Sequence, residues 1–196
     1  MKYGIFLEPD LELCKKILNI KQVVKLLENN AIYVNHPPHL TLYFFESENF
    51  NFFQVNQVLA KINSERHKII TEILGIKVFS NDIITGKETV YYELQKTTSL
   101  SNFQLLIANA LSSFALIKKN DNLFEGDYKK SYNEYGFPFI GDHWIPHFTI
   151  ASVSKQTLKN LKLNKLKSKV FFNHFSLYKI KNDKHILLKK YNFNNH

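Results

Sequence analysis

Cysteine, arginine, glycine and long apolar runs are all scarce in this chain, and each scarcity removes a class of protein. One cysteine, Cys14, among 196 residues excludes a disulfide framework and a zinc cage built from thiolates. No stretch approaches the roughly 20 apolar residues of a membrane span. The opening MKYGIFLEPD breaks its short apolar run at Glu8 and Asp10, too soon for a signal peptide. A soluble, cytoplasmic, monomeric protein is therefore expected. No Pro-, Gly- or Ser-rich linker divides the chain, so 1–196 reads as one domain. No Walker A, G-x-G-x-x-G or G-x-S-x-G word is present. Arg66 is the only arginine, so the chain has little means of planar, bidentate anion recognition.

What is abundant is apolar and aromatic. Hydrophobic residues make up 44% of the chain, with 17 Phe and 10 Tyr, which is enough to build a core and excludes disorder as the main state. The formal charge is +9. Residues 155–196 carry eleven lysines against one acid, Asp183, while the rest of the chain is close to neutral. Two readings stand side by side. The basic C-terminal third could contact RNA or another polyanion. Alternatively, a composition rich in Lys, Asn, Ile and Phe reflects a nucleotide bias written onto a solvated surface.

Periodicity gives an order of elements. Tyr3–Leu7 reads as a strand, followed by a helix from Asp10 whose stripe is Leu13, Ile17, Ile20, Val24 and Leu27. His39–Phe45 reads as a strand, Phe52–Glu65 as a helix and Ile69–Phe79 as a strand with Gly75 a bulge candidate. The order then repeats. Thr89–Gln95 is a strand, a helix enters near Thr97–Ser99, and Pro146–Ser152 is a strand. Lys155–Leu166 is a helix, and Val170–Ile180 with His185–Tyr191 forms a hairpin over Asn182-Asp183. Residues 119–145 read as a long irregular insertion. Strand, helix, strand, helix, strand written twice predicts an α+β fold. Its two pseudo-two-fold lobes, roughly 1–81 and 88–194, would be mainly antiparallel sheet with helices outside and a central cleft.

The halves share one word. Pro38-His39-Leu40-Thr41-Leu42 returns as Pro146-His147-Phe148-Thr149-Ile150, each in the second strand of its half. In a strand, residues i and i+2 share a face, so His39 with Thr41 and His147 with Thr149 project together while their apolar neighbours turn to the core. Two imidazoles on opposite walls of a cleft suit displacement at phosphorus. One takes the proton of the attacking hydroxyl, the other protonates the leaving oxygen, and the threonine hydroxyls donate to the non-bridging oxygens. No metal and no other cofactor is required.

These paired His-x-Thr-hydrophobic motifs resemble those of the 2H phosphoesterases, which carry one in each lobe of a bilobal α+β fold. That group includes RNA 2′,3′-cyclic phosphodiesterases, also called 2′-5′ RNA ligases. The resemblance implies a metal-independent phosphodiesterase acting on a 2′,3′-cyclic, 2′-5′ or cyclic-oligonucleotide linkage, with a nucleotide or an RNA end as substrate. A catalytically idle RNA-binding module is the alternative. Around the motifs, Tyr43 lies two residues beyond Thr41 and is expected on the His39 face. Lys129, Lys130, Tyr132 and Trp144 in the insertion mix basic and aromatic groups suited to a base beside a phosphate. His36 and His143 precede the motif histidines and raise a four-histidine metal site as a rival.

Overall fold

A computed structural model describes residues 1–65, 68–117, 124–163, 166 and 169–194. In chain order its elements are β1 (Lys2–Leu7), α1 (Leu11–Leu27), β2 (Leu40–Glu46), α2 (Phe52–Ser64), β3 (Ile69–Phe79), β4 (Glu88–Leu94), α3 (Thr98–Leu111), α4 (Gly126–Tyr135), β5 (His147–Val153), α5 (Lys155–Asn160), β6 (Lys169–Phe172), β7 (His174–Lys181) and β8 (Lys184–Asn192). They form two antiparallel four-stranded sheets, ordered β2-β1-β7-β8 and β5-β4-β3-β6. The fold is the expected two-lobed α+β architecture.

Each sheet draws on both halves of the chain. β3 leaves the first half to pair with β4 and β6, while β7 and β8 return from the C-terminal end to pair beside β1. The helices cross in the same sense, with α1 packed on β5 and α3 on β2. One continuous core therefore joins the lobes, including Phe45, Phe103, Phe148, Phe172 and Phe175, all fully buried. Burial of each such ring contributes roughly 1.5–3 kcal/mol relative to exposure, so neither lobe keeps its core without the other. The motif strands β2 and β5 are the edge strands of their sheets and touch each other at the junction.

The local chemistry explains the boundaries. Asp10, Asn51, Thr97 and Ser154 each accept a hydrogen bond from the backbone N–H three residues on, capping α1, α2, α3 and α5. Asn182 and Asp183 both take positive φ, 49° and 60°, in the two-residue turn of the β7–β8 hairpin.

Four expectations need correction. The insertion contains a helix, α4, closed by Gly136 at φ 68°. It buries no residue, so it has no apolar period to read. Helix α5 stops at Asn160 rather than Leu166, because Leu158, Leu161 and Leu163 reach the core at steps of three and two that no α-helix supplies. The strand expected over 170–180 breaks at Asn173, letting β6 serve one sheet and β7 the other. On α1 the buried face runs Leu13, Ile17, Lys21 and Val24, while Leu27 is exposed. Arg66 and residues 119–123 of the insertion lie outside the described residues.

Gly4 has a specific packing duty. A Cβ built there would fall 2.2 Å from Cζ at the tip of the Phe6 ring, which folds back over it. Phe6 is buried and hemmed in by His39 and Tyr178, so it cannot swing clear cheaply. Gly4→Ala is expected to lower unfolding free energy by about 1–3 kcal/mol, read by urea titration. An unchanged midpoint would show that Phe6 is not wedged as described.

Candidate functional site

The site begins with two prolines. Each motif histidine follows a Pro, and the residue before that Pro is confined to extended backbone. Its carbonyl then turns back on the imidazole. The Pro37 oxygen lies 2.7 Å from His39 Nδ1, and the Ile145 oxygen lies 2.7 Å from His147 Nδ1. A carbonyl only accepts, so both rings carry their proton on Nδ1 when neutral and leave Nε2 as a bare lone pair. Two residues along each strand, Thr41 and Thr149 are half-buried, and neither hydroxyl bonds another described residue.

Both strands then bulge at the same motif position. Thr41 pairs with Phe6 but Tyr43 with Ile5, leaving Leu42 as the extra residue. Likewise Thr149 pairs with Tyr91 but Ala151 with Val90, leaving Ile150 extra. The first bulge corrects the expectation for Tyr43. It flips to the core side, is fully buried, and donates its hydroxyl proton to the Tyr135 carbonyl. Trp144 is also withdrawn from the cleft. It is buried, and its indole N–H donates to the Thr41 carbonyl at 2.9 Å, tying the approach to one motif to the backbone of the other. On α4, Lys129 and Lys130 are exposed and Tyr132 packs on Phe124. Among the described residues none of the three touches the rings around either histidine.

The structure supplies other residues instead. The His39 ring lies 4.1 Å from Phe6 and 5.1 Å from His185, and His185 lies 4.5 Å from His36. Tyr33 adjoins His36 at 5.2 Å, and its carbonyl accepts from the buried Lys21 Nζ at 2.7 Å. On the other side, His147 stands edge-on to Phe79 and Tyr91 at 5.3 and 5.1 Å. Asp82, on the β3–β4 turn, acts electrostatically on both His147 and Tyr33. The buried Gln104 of α3 donates to the Leu42 and Phe139 carbonyls and accepts from Gly141 N–H, holding the first bulge in place. Lys21 and Gln104 had one available signal, a polar residue on the apolar stripe of a helix. His185, Phe6, Phe79 and Tyr91 had none, because strand pairing across the chain brings them in.

The environments of the two histidines differ. His39 is pushed well below the ordinary imidazole pKa, by burial first and then by His185, with Lys21 and His36 adding and the Pro37 carbonyl opposing. His147 is lowered by burial alone, and both the Ile145 carbonyl and Asp82 oppose that. His36 falls to about 4, chiefly from burial and His185, and His185 is lowered by burial. His143 does not join His36. It sits beside Tyr128 and 3.9 Å from Asp127 of α4. Among the described residues no group of three or more His, Cys, Asp or Glu side chains is placed to hold a metal ion.

Two exchanged sheets with a Pro-His-x-Thr word on each facing edge define a 2H-type phosphoesterase. The family model of the 2′-5′ RNA ligase superfamily matches residues 9–183, and the chain belongs to that superfamily. Membership supports an enzyme of the phosphodiesterase or ligase kind. No curated protein matches in sequence. Among solved structures, TT0787 of Thermus thermophilus superposes with a TM-score of 0.65 at 11% identity, covering 98% of both chains. E. coli LigT, solved with 3′-AMP, gives 0.60 at 11% identity over 99% of this chain and 98% of its own. LigT solved with ATP gives 0.60 at 9% identity with the same coverage. At these identities the likeness is one of fold. Among the described residues no helix is long and apolar enough to cross a membrane.

The depressed imidazoles make stability depend on pH with a definite sign. A histidine whose folded pKa lies below its unfolded value, near 6.5, leaves the folded state poorer in protons. Stability is therefore full above pH 6.5 and falls as pH drops towards the His36 value of about 4. Urea unfolding between pH 7 and 4 should show this loss, and His36→Gln should flatten it. A slope that is the same in the variant would contradict the assignment.

Proposed function

We propose that this protein is a metal-independent phosphodiesterase that cleaves or forms a 2′,3′-cyclic, 2′-5′ or cyclic-oligonucleotide phosphodiester by two-histidine acid/base catalysis. The observation that carries the reading is the matched pair of Nδ1–H···O=C hydrogen bonds. They leave two like Nε2 atoms, each with a threonine hydroxyl two residues away that bonds no other described residue. Nucleotides recorded on LigT, 3′-AMP and ATP among them, favour a nucleotide as substrate.

In the proposed reaction, water or a ribose hydroxyl attacks phosphorus as one histidine Nε2 takes its proton. The P–O bond to the leaving oxygen breaks, and that oxygen takes the proton held on the other Nε2. Thr41 and Thr149 donate to the non-bridging oxygens, where negative charge accumulates. The surroundings divide the roles. His39, ringed by His36, His185 and Lys21, resists protonation and serves as base. His147, near Asp82, holds a proton more readily and serves as acid. The negative charge of the bound phosphate raises both imidazole pKa values towards neutrality, where proton transfer is efficient. Tyr43 and Trp144 act from behind the motif strands rather than on substrate. Contact between RNA and the lysine-rich C-terminal third would add affinity without touching the chemistry.

The test is turnover of nucleoside 2′,3′-cyclic phosphates, 2′-5′ dinucleotides and cyclic dinucleotides in EDTA. His39→Ala and His147→Ala should each lower kcat by about 10²–10⁴-fold, and the wild-type pH–rate profile should be bell-shaped. Activity abolished by EDTA, or retained in either variant, would overturn the mechanism. Salt-dependent RNA binding without turnover would favour an idle binder.

A further inference from the structure

Beyond the two motifs, the cleft holds an unbalanced set of basic groups. Lys21 is fully buried on α1, yet among the described residues its ammonium meets one backbone carbonyl, that of Tyr33. Buried lysines are rare unless paired. Anchoring Tyr33, which sits at φ 69°, needs a hydrogen-bond donor but not a charge. Lys21 lies within electrostatic reach of His36, His39 and His185. The ring spacings of 4.5 and 5.1 Å place His185 between His36 and His39. His185 Nδ1 is buried and makes no hydrogen bond of ordinary geometry among the described residues, and the Asp183 backbone carbonyl is the acceptor acting on the ring. Phe6, in contact with both His39 and His185, forms an apolar floor, and Tyr178 borders His185 at 6.1 Å. The carboxylate that acts on this group is Asp183, exposed on the β7–β8 turn and a lesser influence than burial.

We propose that His36, His185 and Lys21 form an anion subsite beside His39 that takes a phosphate group additional to the scissile one. The proposal rests on the phosphodiesterase reading and narrows its substrate to a phosphorylated or oligomeric nucleotide, in preference to a simple nucleoside cyclic phosphate. Three groups able to carry positive charge converge on one side of the cleft; Asp183, which acts on His36 and His185, is solvent-facing, and the nearby Glu8 is already bonded by Tyr178 and His174. A phosphate supplies the missing charge and several acceptor oxygens for imidazole and ammonium N–H donors. On the other wall, the ring neighbours of His147 among the described residues are Phe79 and Tyr91, so the subsite makes the cleft directional. The substrate would extend past His39, with its leaving oxygen towards His147.

Calorimetric titration of the wild-type protein with adenosine 2′-monophosphate and adenosine 2′,5′-bisphosphate at fixed ionic strength tests this without requiring turnover. The bisphosphate should bind about tenfold or more tightly. His185→Gln and His36→Gln, each checked for folding by thermal melting, should bring that ratio towards one. Equal affinities in the wild type would overturn the subsite, as would a ratio unchanged in both variants. If neither variant folds, the wild-type ratio alone decides. Failure to turn over any diester, measured separately, would remove the phosphodiesterase reading while the affinity ratio still judges the subsite.

Discussion

The site depends on a hydrogen bond made twice, from a histidine Nδ1–H to the carbonyl two residues earlier in the chain. Pro38 and Pro146 make it possible. A proline holds its predecessor extended, so the Pro37 and Ile145 carbonyls are presented to the rings at 2.7 Å. The bond settles which nitrogen carries the proton and limits rotation of the ring. Without it the two tautomers of a neutral imidazole would compete, and Nε2 would be an acceptor only part of the time.

Holding two such edges together is the work of the whole fold. Strands and helices exchange between the halves, so β2 and β5 meet over a shared core rather than across a flexible linker. The bulges at Leu42 and Ile150 fall at the same motif position. They reverse the alternation, so that Tyr43 and Ala151, two residues beyond Thr41 and Thr149, are buried instead of sharing the face of the histidines. Trp144 and Gln104 bond the backbone of Thr41 and Leu42, so the placement of one motif depends on segments that lead into the other.

The repeated word, the α+β class and most element boundaries were legible because they are local. Strand β3 spans Ile69–Phe79 as its β-branched and aromatic run suggests, and Thr97 caps α3. What escaped is non-local or lacks a period. A bulge has no sequence mark, so simple alternation puts Tyr43 on the wrong face. A solvated helix such as α4 has no apolar stripe. His185 reaches His39 only because the last hairpin of the chain pairs beside its first strand, a juxtaposition that linear spacing does not encode.

The lobes are alike in backbone and unlike in charge. His39 sits among basic groups, and His147 sits among aromatic rings near Asp82. In the proposed mechanism, that contrast gives two equivalent motifs distinct tasks. The central claim is that both rings carry the same tautomer for the same reason, and nitrogen-15 NMR of the histidine side chains at neutral pH tests it most directly. His39 and His147 should both show a protonated Nδ1 and an unprotonated Nε2. A signal from either ring with the proton on Nε2 and a bare Nδ1 would contradict it.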